Sequence, residues 1–319
     1  MSILVYIEQA EGKIKRSSLE AVSFAKALSE KEGGAVVALA LGEIAAGELE
    51  QLGPAGAEKV LHLSDERLSE GNILAHSRAA AVAFEKEGAN ILVLSKSSLG
   101  DAVAARLAVK LNAGLVSNVV ELPDDALINR SIYTGKAYAK TRILTENRIL
   151  AIKKNVVDIR TEGTAAVVQS LEVDFSEADF AGKIVATEKA QGDILLPEAD
   201  IVVSGGRGLQ GPENWPILED LARALGAALA CSKPVSDMGW RPHHEHVGQT
   251  GIKVSPSLYI AVGISGAIQH LAGVNSSKVI VVINRDPDAP FVKAADYAIV
   301  GDAFEVLPKL TEAVKAIKK

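Results

Sequence analysis

Leu258-Tyr-Ile-Ala-Val-Gly-Ile-Ser-Gly-Ala-Ile-Gln-His270 joins an unbroken apolar run to a glycine turn and then to a helical pattern. Runs of this kind are typical of parallel strands that are buried on both faces. Residues 201–204, 279–283 and 297–300 have the same texture, and each run is followed at once by Gly or Asn. We therefore predict an open parallel sheet in the second half, with ligands binding where the carboxyl ends of its strands meet.

The first half alternates short β-branched runs with helical patterns, which indicates a parallel sheet covered by helices. We predict strands over residues 2–7, 35–41, 60–63 and 91–95, and helices over residues 19–31, 44–52, 73–87 and 101–111. From residue 115 to residue 173 the apolar period is two. Antiparallel or mixed strands should therefore be added to this parallel sheet.

Length and composition indicate two domains in an acidic chain. The chain has 319 residues and a formal net charge of -6, and a domain usually has about 150 residues. Residues 174–200 are polar and acidic, which is typical of a linker. The boundary is predicted near Gly192, giving domains 1–191 and 192–319.

The same composition excludes several classes of protein. A single cysteine, Cys231, allows no internal disulfide and no four-thiolate metal site. No basic leader precedes the first strand, and no apolar run reaches the ~20 residues of a membrane helix. Positive charge is scattered, whereas nucleic-acid binding needs it clustered. We expect a cytosolic protein that is not membrane-embedded and binds no nucleic acid.

Four segments should reach the ligand-binding edge of the second sheet. They are the glycine turn 204–211 with Arg207, the turn 262–270, the loop 247–251 with Thr250, and the strand ends at Asn284 and Asp302. Either glycine turn could approach a phosphate closely or could be only a tight turn. Eleven of the 27 glycines lie between Gly205 and Gly273. Together these segments predict a nucleotide site.

Several other residues have two interpretations. His243, His244 and His246 could bind a metal, although neighbouring loop residues rarely form a closed site. His270 could be catalytic or could cap and pack the start of a helix. Cys231 is a buried small hydrophobe or a nucleophile, and Trp215 and Trp240 are packing anchors or stacking platforms. Residues 95–101 could hold a phosphate or form a helix N-cap.

The stretches 202–209, 247–251, 258–273, 283–290 and 295–302 resemble, in order, the alpha subunit of electron transfer flavoproteins, also called the FixB family. The resemblance implies a nucleotide-hydrolase-like α/β sheet with added antiparallel strands, then a Rossmann-like FAD-binding domain. The first domain would dock a beta subunit that holds AMP or a second FAD. The heterodimer would be an electron carrier without substrate turnover of its own, unless it bifurcates electrons.

The resemblance also implies the residues of an FAD site. Thr250 would hydrogen-bond the flavin near N5, and His270 would lie near its N1 and O2 edge, where reduction places negative charge. The residues implied to bind FAD are Arg207, Ser232, Lys233, Val247, Gly248, Gln249, Thr250, Gly263, Ser265, Gly266, Ala267, Ile268, Gln269, His270, Asn284 and Asp302. The implied electron donors are flavin dehydrogenases such as the acyl-CoA dehydrogenases of fatty acid β-oxidation, and the implied acceptor is a membrane quinone reductase.

One position departs from the family pattern. Many members have arginine after the serine that Ser232 matches, whereas this chain has Lys233. Lysine keeps the charge but loses planar stacking, so we expect Lys233→Ala to lower the first reduction potential of the flavin.

Two other function classes fit the glycine loops. An NAD(P)-dependent oxidoreductase would need an acid or base near its substrate, and only His270 stands out as one. A non-redox nucleotide-binding regulatory subunit would leave Thr250 and His270 without a role.

Overall fold

The structure, a computed structural model, describes residues 2–124, 126–135, 137–182, 196–197 and 199–317. These residues form two compact units, one on either side of residues 183–195. The boundary predicted near Gly192 lies outside the described residues. None of the described helices is long and apolar enough to cross a lipid bilayer.

The first unit contains a nine-stranded mixed sheet and a small hairpin. Its strands are β1 (Ser2–Ile7), β2 (Gln9–Ala10), β3 (Lys13–Ile14), β4 (Ala35–Leu41), β5 (Lys59–Leu63), β6 (Ala89–Ser95), β7 (Gly114–Val119), β8 (Leu127–Ile132), β9 (Ala137–Arg142), β10 (Arg148–Ile152) and β11 (Val167–Ser170). The order in the large sheet is β11-β5-β4-β1-β6-β10-β7-β8-β9, and β2 pairs with β3. Only the β7–β8 and β8–β9 pairs of the large sheet are antiparallel. The mixed sheet predicted from the change of period is confirmed.

Helices cover both faces of this sheet. They are α1 (Arg16–Glu32), α2 (Ala46–Glu50), α3 (Leu52–Ala55), α4 (Ile73–Lys86) and α5 (Ser98–Lys110). The side chains of β1 alternate between two cores: Ile3 and Val5 pack with Phe24 of α1, while Leu4 and Tyr6 pack on the opposite face. The first sheet is thus buried on both faces at its centre.

Two predicted helix boundaries differ from those observed. Both α1 and α5 begin three residues before the predicted starts at residues 19 and 101. The side chain of Ser97 accepts a hydrogen bond from the backbone of Gly100 at 2.8 Å and so caps α5. The helix-cap interpretation of residues 95–101 is therefore confirmed. The helix predicted over residues 44–52 is two short helices, α2 and α3.

The second unit contains a five-stranded parallel sheet. Its strands are β12 (Ile201–Gly205), β13 (Ala228–Cys231), β14 (Leu258–Val262), β15 (Val279–Asn284) and β16 (Tyr297–Val300), in the order β13-β12-β14-β15-β16. Its helices are α6 (Pro216–Leu225), α7 (Lys233–Asp237), α8 (Ile268–Val274), α9 (Pro290–Ala294) and α10 (Ala303–Ile317). All strand pairs are parallel, as predicted.

Two features of this sheet differ from the prediction. β13 was not predicted, because Ala-Leu-Ala-Cys contains no β-branched residue. The prediction that residues 297–300 are buried on both faces is wrong, since β16 is exposed along its whole length. The reason is its place in the sheet: β16 is an edge strand with a single neighbour.

The turn between β14 and α8 requires glycine at position 266. Gly266 has φ +82°, and a Cβ built there would lie 2.4 Å from Cβ of Phe291. Gly226, at the C-terminus of α6, also has positive φ (+69°), but no atom lies within 4 Å of its hypothetical Cβ. The two positions therefore separate the cost of backbone conformation from the cost of steric overlap.

We predict that Gly266→Ala destabilises the second unit more than Gly226→Ala. Gly226→Ala should lower the free energy of unfolding by about 1–2 kcal/mol, the cost of a left-handed non-glycine residue. Gly266→Ala should cost about 1–3 kcal/mol more, because Phe291 must move. Urea unfolding followed by tryptophan fluorescence measures both, since Trp215 and Trp240 both lie in this unit. Equal losses would show that the packing against Phe291 has no energetic weight.

A buried histidine links α4 to the first sheet. Nε2 of His76 donates to the carbonyl oxygen of Leu68 at 2.9 Å, so Nδ1 accepts from the hydroxyl of Tyr6 at 2.5 Å. Burial lowers the pKa of His76 to about 4. The folded chain therefore holds this imidazole neutral at pH 7.

We predict that His76 makes the first unit less stable in acid. Its pKa is lower in the folded chain than in the unfolded chain, so between these values the unfolded chain binds more protons. From pH 7 to pH 5 this should remove about 2 kcal/mol of stability. Urea unfolding followed by far-UV circular dichroism should show a pH dependence smaller by about that amount in His76→Gln, which cannot titrate. An identical pH dependence in both proteins would contradict the assignment.

Candidate functional site

A cavity of about 560 Å³ opens where the carboxyl ends of β12, β13, β14 and β15 meet. Fourteen of the sixteen predicted site residues line it, all except Ile268 and Asp302. The two glycine turns, the loop 247–250 and the end of β15 therefore converge as the sequence predicted. A volume of this size is within the usual range for small-molecule and cofactor sites.

The turn between β14 and α8 forms one wall, through Gly263, Ser265, Gly266, Ala267, Gln269 and His270. Neighbouring elements hold this turn by its backbone. The side-chain amide of Asn284 donates to the carbonyl oxygen of Ile264 at 3.0 Å, and the N–H of Phe291 donates to that of Ser265 at 3.0 Å. Its shape is thus set by the end of β15 and the start of α9.

The loop with Val247, Gly248, Gln249 and Thr250 forms a second wall. The N–H of Gln249 donates to the carbonyl oxygen of Gln269 at 2.7 Å, which ties this loop to α8. The hydroxyl of Thr250 has no hydrogen-bond partner among the described residues and is exposed at the cavity. It is therefore available to a bound molecule.

Arg207 and Lys233 place two cations on the cavity wall. Arg207, in the turn after β12, forms no ion pair within the described part of the chain. Lys233, which follows Ser232 at the start of α7, lies 2.9 Å from Oδ2 of Asp237 and pairs with it. The positive potential of Arg207 is thus uncompensated, whereas that of Lys233 is largely balanced.

His270 is buried at the base of α8. Its Nε2 is hydrogen-bonded to the hydroxyl of Tyr259 at 2.9 Å, and the ring of Phe291 packs edge-on against it at 5.5 Å. Burial, and then the nearby His246, lower the pKa of His270 to about 4. At neutral pH the cavity therefore contains an uncharged imidazole in a fixed orientation.

The structure does not bring Ile268 and Asp302 to the cavity. The side chain of Ile268 is 79% exposed. Asp302 pairs with Arg285 and accepts from the N–H of Phe304 at 2.9 Å, which caps α10. The guanidinium of Arg285 is the main cause that lowers the pKa of this carboxyl.

The three histidines that could bind a metal do not form a cluster. His243 is hydrogen-bonded to Ser236 at 3.1 Å, and His246 lines the cavity described above. Glu245, between them in the sequence, accepts hydrogen bonds from Nη2 and Nε of Arg241, at 2.6 and 2.7 Å. Within the described ranges, no three metal-binding side chains come together.

For Cys231 and Trp215, the structure supports the interpretation as packing residues. Cys231 is fully buried, and burial raises the pKa of its thiol to about 12, so it is a core residue. Trp215 is 2% exposed and packs in the core beside α6, with the guanidinium of Arg241 5.6 Å from its ring.

Six lining residues were not predicted: Gly208, Pro234, His246, Ile264, Asp286 and Ala289. Gly208, Pro234, His246 and Ile264 directly adjoin predicted residues, so extending each motif by one residue would have found them, whereas Asp286 and Ala289 lie farther away. The sequence analysis considered His246 only for metal binding and not for contact with a nucleotide.

The cavity suits a dinucleotide cofactor. Four glycines, Gly208, Gly248, Gly263 and Gly266, line it and present bare backbone. Such bare backbone lets a pyrophosphate approach closely, and Arg207 supplies positive charge. Hydroxyl, amide and imidazole groups around the same cavity offer the donors and acceptors that ribose and heteroaromatic rings require.

Comparisons with known proteins agree with this geometry. Residues 3–176 match the family model described as electron transfer flavoprotein domain, and residues 195–275 match electron transfer flavoprotein FAD-binding domain. The chain is 35% identical to electron transfer flavoprotein subunit alpha of Bacillus subtilis (strain 168), over 99% of this chain and 98% of that protein. It is 38% identical to the subunit of the same name from Mycobacterium tuberculosis (strain H37Rv), over 99% of each chain, and 34% identical to protein FixB of Clostridium saccharobutylicum, over 99% and 96%. The chain belongs to the electron transfer flavoprotein alpha-subunit family.

Proposed function

We propose that this chain is the FAD-binding alpha subunit of a heterodimeric electron carrier. In this proposal it accepts electrons from flavin dehydrogenases, such as acyl-CoA dehydrogenases, and passes them to a quinone reductase. The observation that carries the proposal is that the loop 247–250 and the turn 263–270 line the same cavity, within the residues that match the family's FAD-binding domain. A beta subunit would dock on the first unit and hold AMP or a second FAD.

The residues of the cavity fit FAD. The touching backbones at Gly208 and Gly263 would receive the pyrophosphate, with Arg207 as its counter-charge. The free hydroxyl of Thr250 and the imidazole of His270 would face the isoalloxazine ring, which carries the electrons. FAD, when bound, supplies a ring system that takes up and releases one or two electrons.

This chain contributes electrostatics and orientation to that chemistry. The hydroxyl of the buried Tyr259 is hydrogen-bonded to Nε2 of His270. This bond fixes the orientation of the imidazole. His270 enters the cavity as a neutral group, because its pKa is about 4. It can therefore move towards the charged form when negative charge develops beside it.

The two other function classes gain no support from the site. A dehydrogenase acting on its own substrate would need an acid or base beside that substrate. A pKa of about 4 makes His270 a weak base, and its Nε2 is already hydrogen-bonded to Tyr259. A non-redox regulatory subunit would leave this buried pair unused. A cytoplasmic location and the absence of substrate turnover stay predictions from the sequence.

The primary test is the visible spectrum of the chain co-expressed with its beta partner and purified with FAD present. We expect a flavin absorption spectrum and release of FAD on denaturation. An intact heterodimer that lacks flavin after incubation with FAD would sink the proposed function.

We further predict that Lys233 and Asp237 shift the flavin potential in opposite directions. Lys233→Ala removes the ammonium from the cavity wall and leaves the carboxylate of Asp237 unpaired, so it should lower the first reduction potential by about 10–40 mV. Asp237→Asn leaves the ammonium unpaired and should raise it by a similar amount. Anaerobic redox titration measures both changes.

The double variant Lys233→Ala/Asp237→Asn is the matched control. It removes the pair without leaving a net charge, so its potential should lie close to that of the unaltered protein. If all three variants share one potential, the charge of Lys233 does not act on the flavin.

A further inference from the structure

His246 lines the same cavity, whereas residues 242–244, shortly before it in the sequence, are exposed. His246 is only 5% exposed, whereas His243 and His244 are exposed. The backbone fixes its position: the N–H of His246 donates to the carbonyl oxygen of His243 at 3.1 Å, and the N–H of Ile252 donates to that of His246 at 2.8 Å. The main chain of His246 is therefore held by hydrogen bonds on both sides.

The two ring nitrogens of His246 have no hydrogen-bond partner in the part of the chain that the structure describes. Glycines surround them: a Cβ on Gly251 would lie 2.7 Å from Nδ1, and one on Gly248 would lie 3.4 Å from Nε2. These glycines leave room for the ring. The nitrogens of this largely buried residue therefore remain open to the cavity, where a bound molecule can supply a hydrogen-bond partner.

The surroundings of His246, taken together, favour its neutral form. Burial is the main cause that lowers its pKa, followed by Lys233 of α7, while Asp237 opposes the shift and His243 adds to it. His270 of α8 is close enough to be influenced by it in turn. A neutral imidazole offers one donor and one acceptor.

We propose that His246 is a further cofactor-contacting residue, whose imidazole hydrogen-bonds the polar rim of a heteroaromatic ring of the bound FAD. This inference rests on the proposed function. A neutral donor–acceptor group matches a ring whose rim alternates carbonyl or nitrogen acceptors with N–H donors. It suits the pyrophosphate less well, since that group favours cations such as Arg207. The two FAD rings with such a rim are the isoalloxazine and the adenine.

The test is titration of the FAD-depleted heterodimer with FAD, for the unaltered protein and for His246→Ala, His246→Gln and His244→Ala. We expect His246→Ala to weaken FAD binding about tenfold, the effect of losing one hydrogen bond to a buried group. His246→Gln keeps one donor and one acceptor and should recover most of the affinity. His244→Ala, two residues away and exposed, should bind as the unaltered protein does.

The flavin spectrum recorded in the same titration distinguishes the two rings. A shifted visible absorption band in His246→Ala would identify the isoalloxazine as the contact, and weaker binding with an unchanged band would identify the adenine. Imidazole NMR signals of His246, assigned by their loss in His246→Gln, should shift when FAD is added to the unaltered heterodimer. This measurement decides the matter if His246→Ala does not fold.

The possible results distinguish failure of this inference from failure of the proposed function. Equal affinities in His246→Ala and His244→Ala, or imidazole signals of His246 that do not respond to FAD, would overturn this inference and leave the proposed function intact. Failure of the unaltered heterodimer to bind FAD would overturn both.

Discussion

The close contact between two glycine turns is the constraint on which the cavity depends. A Cβ on Gly206 would lie 2.2 Å from the carbonyl oxygen of Gly263, and one on Gly208 would lie 2.6 Å from its Cα. The N–H groups of Gly206 and Gly208 donate to the carbonyl oxygens of Val262 and Gly263 at 2.8 and 3.0 Å. The turns after β12 and β14 are therefore one hydrogen-bonded surface, and side chains at these positions would force them apart.

Neutral and charged groups lie at different depths around this surface. The buried imidazoles of His246 and His270 are both held towards the neutral form by burial, while Arg207 and Lys233 lie exposed at the wall. Neutral groups inside cost less to bury than cations would, and they leave the cavity able to respond when a ligand brings charge. The first unit contains a similar buried pair, Tyr6 with His76, so a tyrosine–histidine pair is not by itself specific to this cavity.

Much of the fold could be predicted because local pattern and burial agree. Strands with β-branched apolar runs, such as β4 and β14, were predicted within a residue of their observed ends. β13 was missed, since its alanines carry little strand signal and it owes its pairing to β12. The exposure of β16 follows from its position at the sheet edge, which a run of four apolar residues cannot report. Strand order is a property of the tertiary structure.

The site was predictable where a motif and a strand end coincide, and it was not where a side chain reaches the cavity from elsewhere. Asp302 follows a strand end and was expected to contribute to the nucleotide site, yet Arg285 and the start of α10 already satisfy its carboxylate. His246 looked like part of a metal-binding run, yet the backbone turn at residues 243–245 separates it from its neighbours and buries it. In both cases the available hydrogen bonds decide the role, because a polar group with its partners already in place has little to offer a ligand. Residue type and spacing name the candidates, and the unfilled hydrogen-bonding capacity of each buried group selects among them.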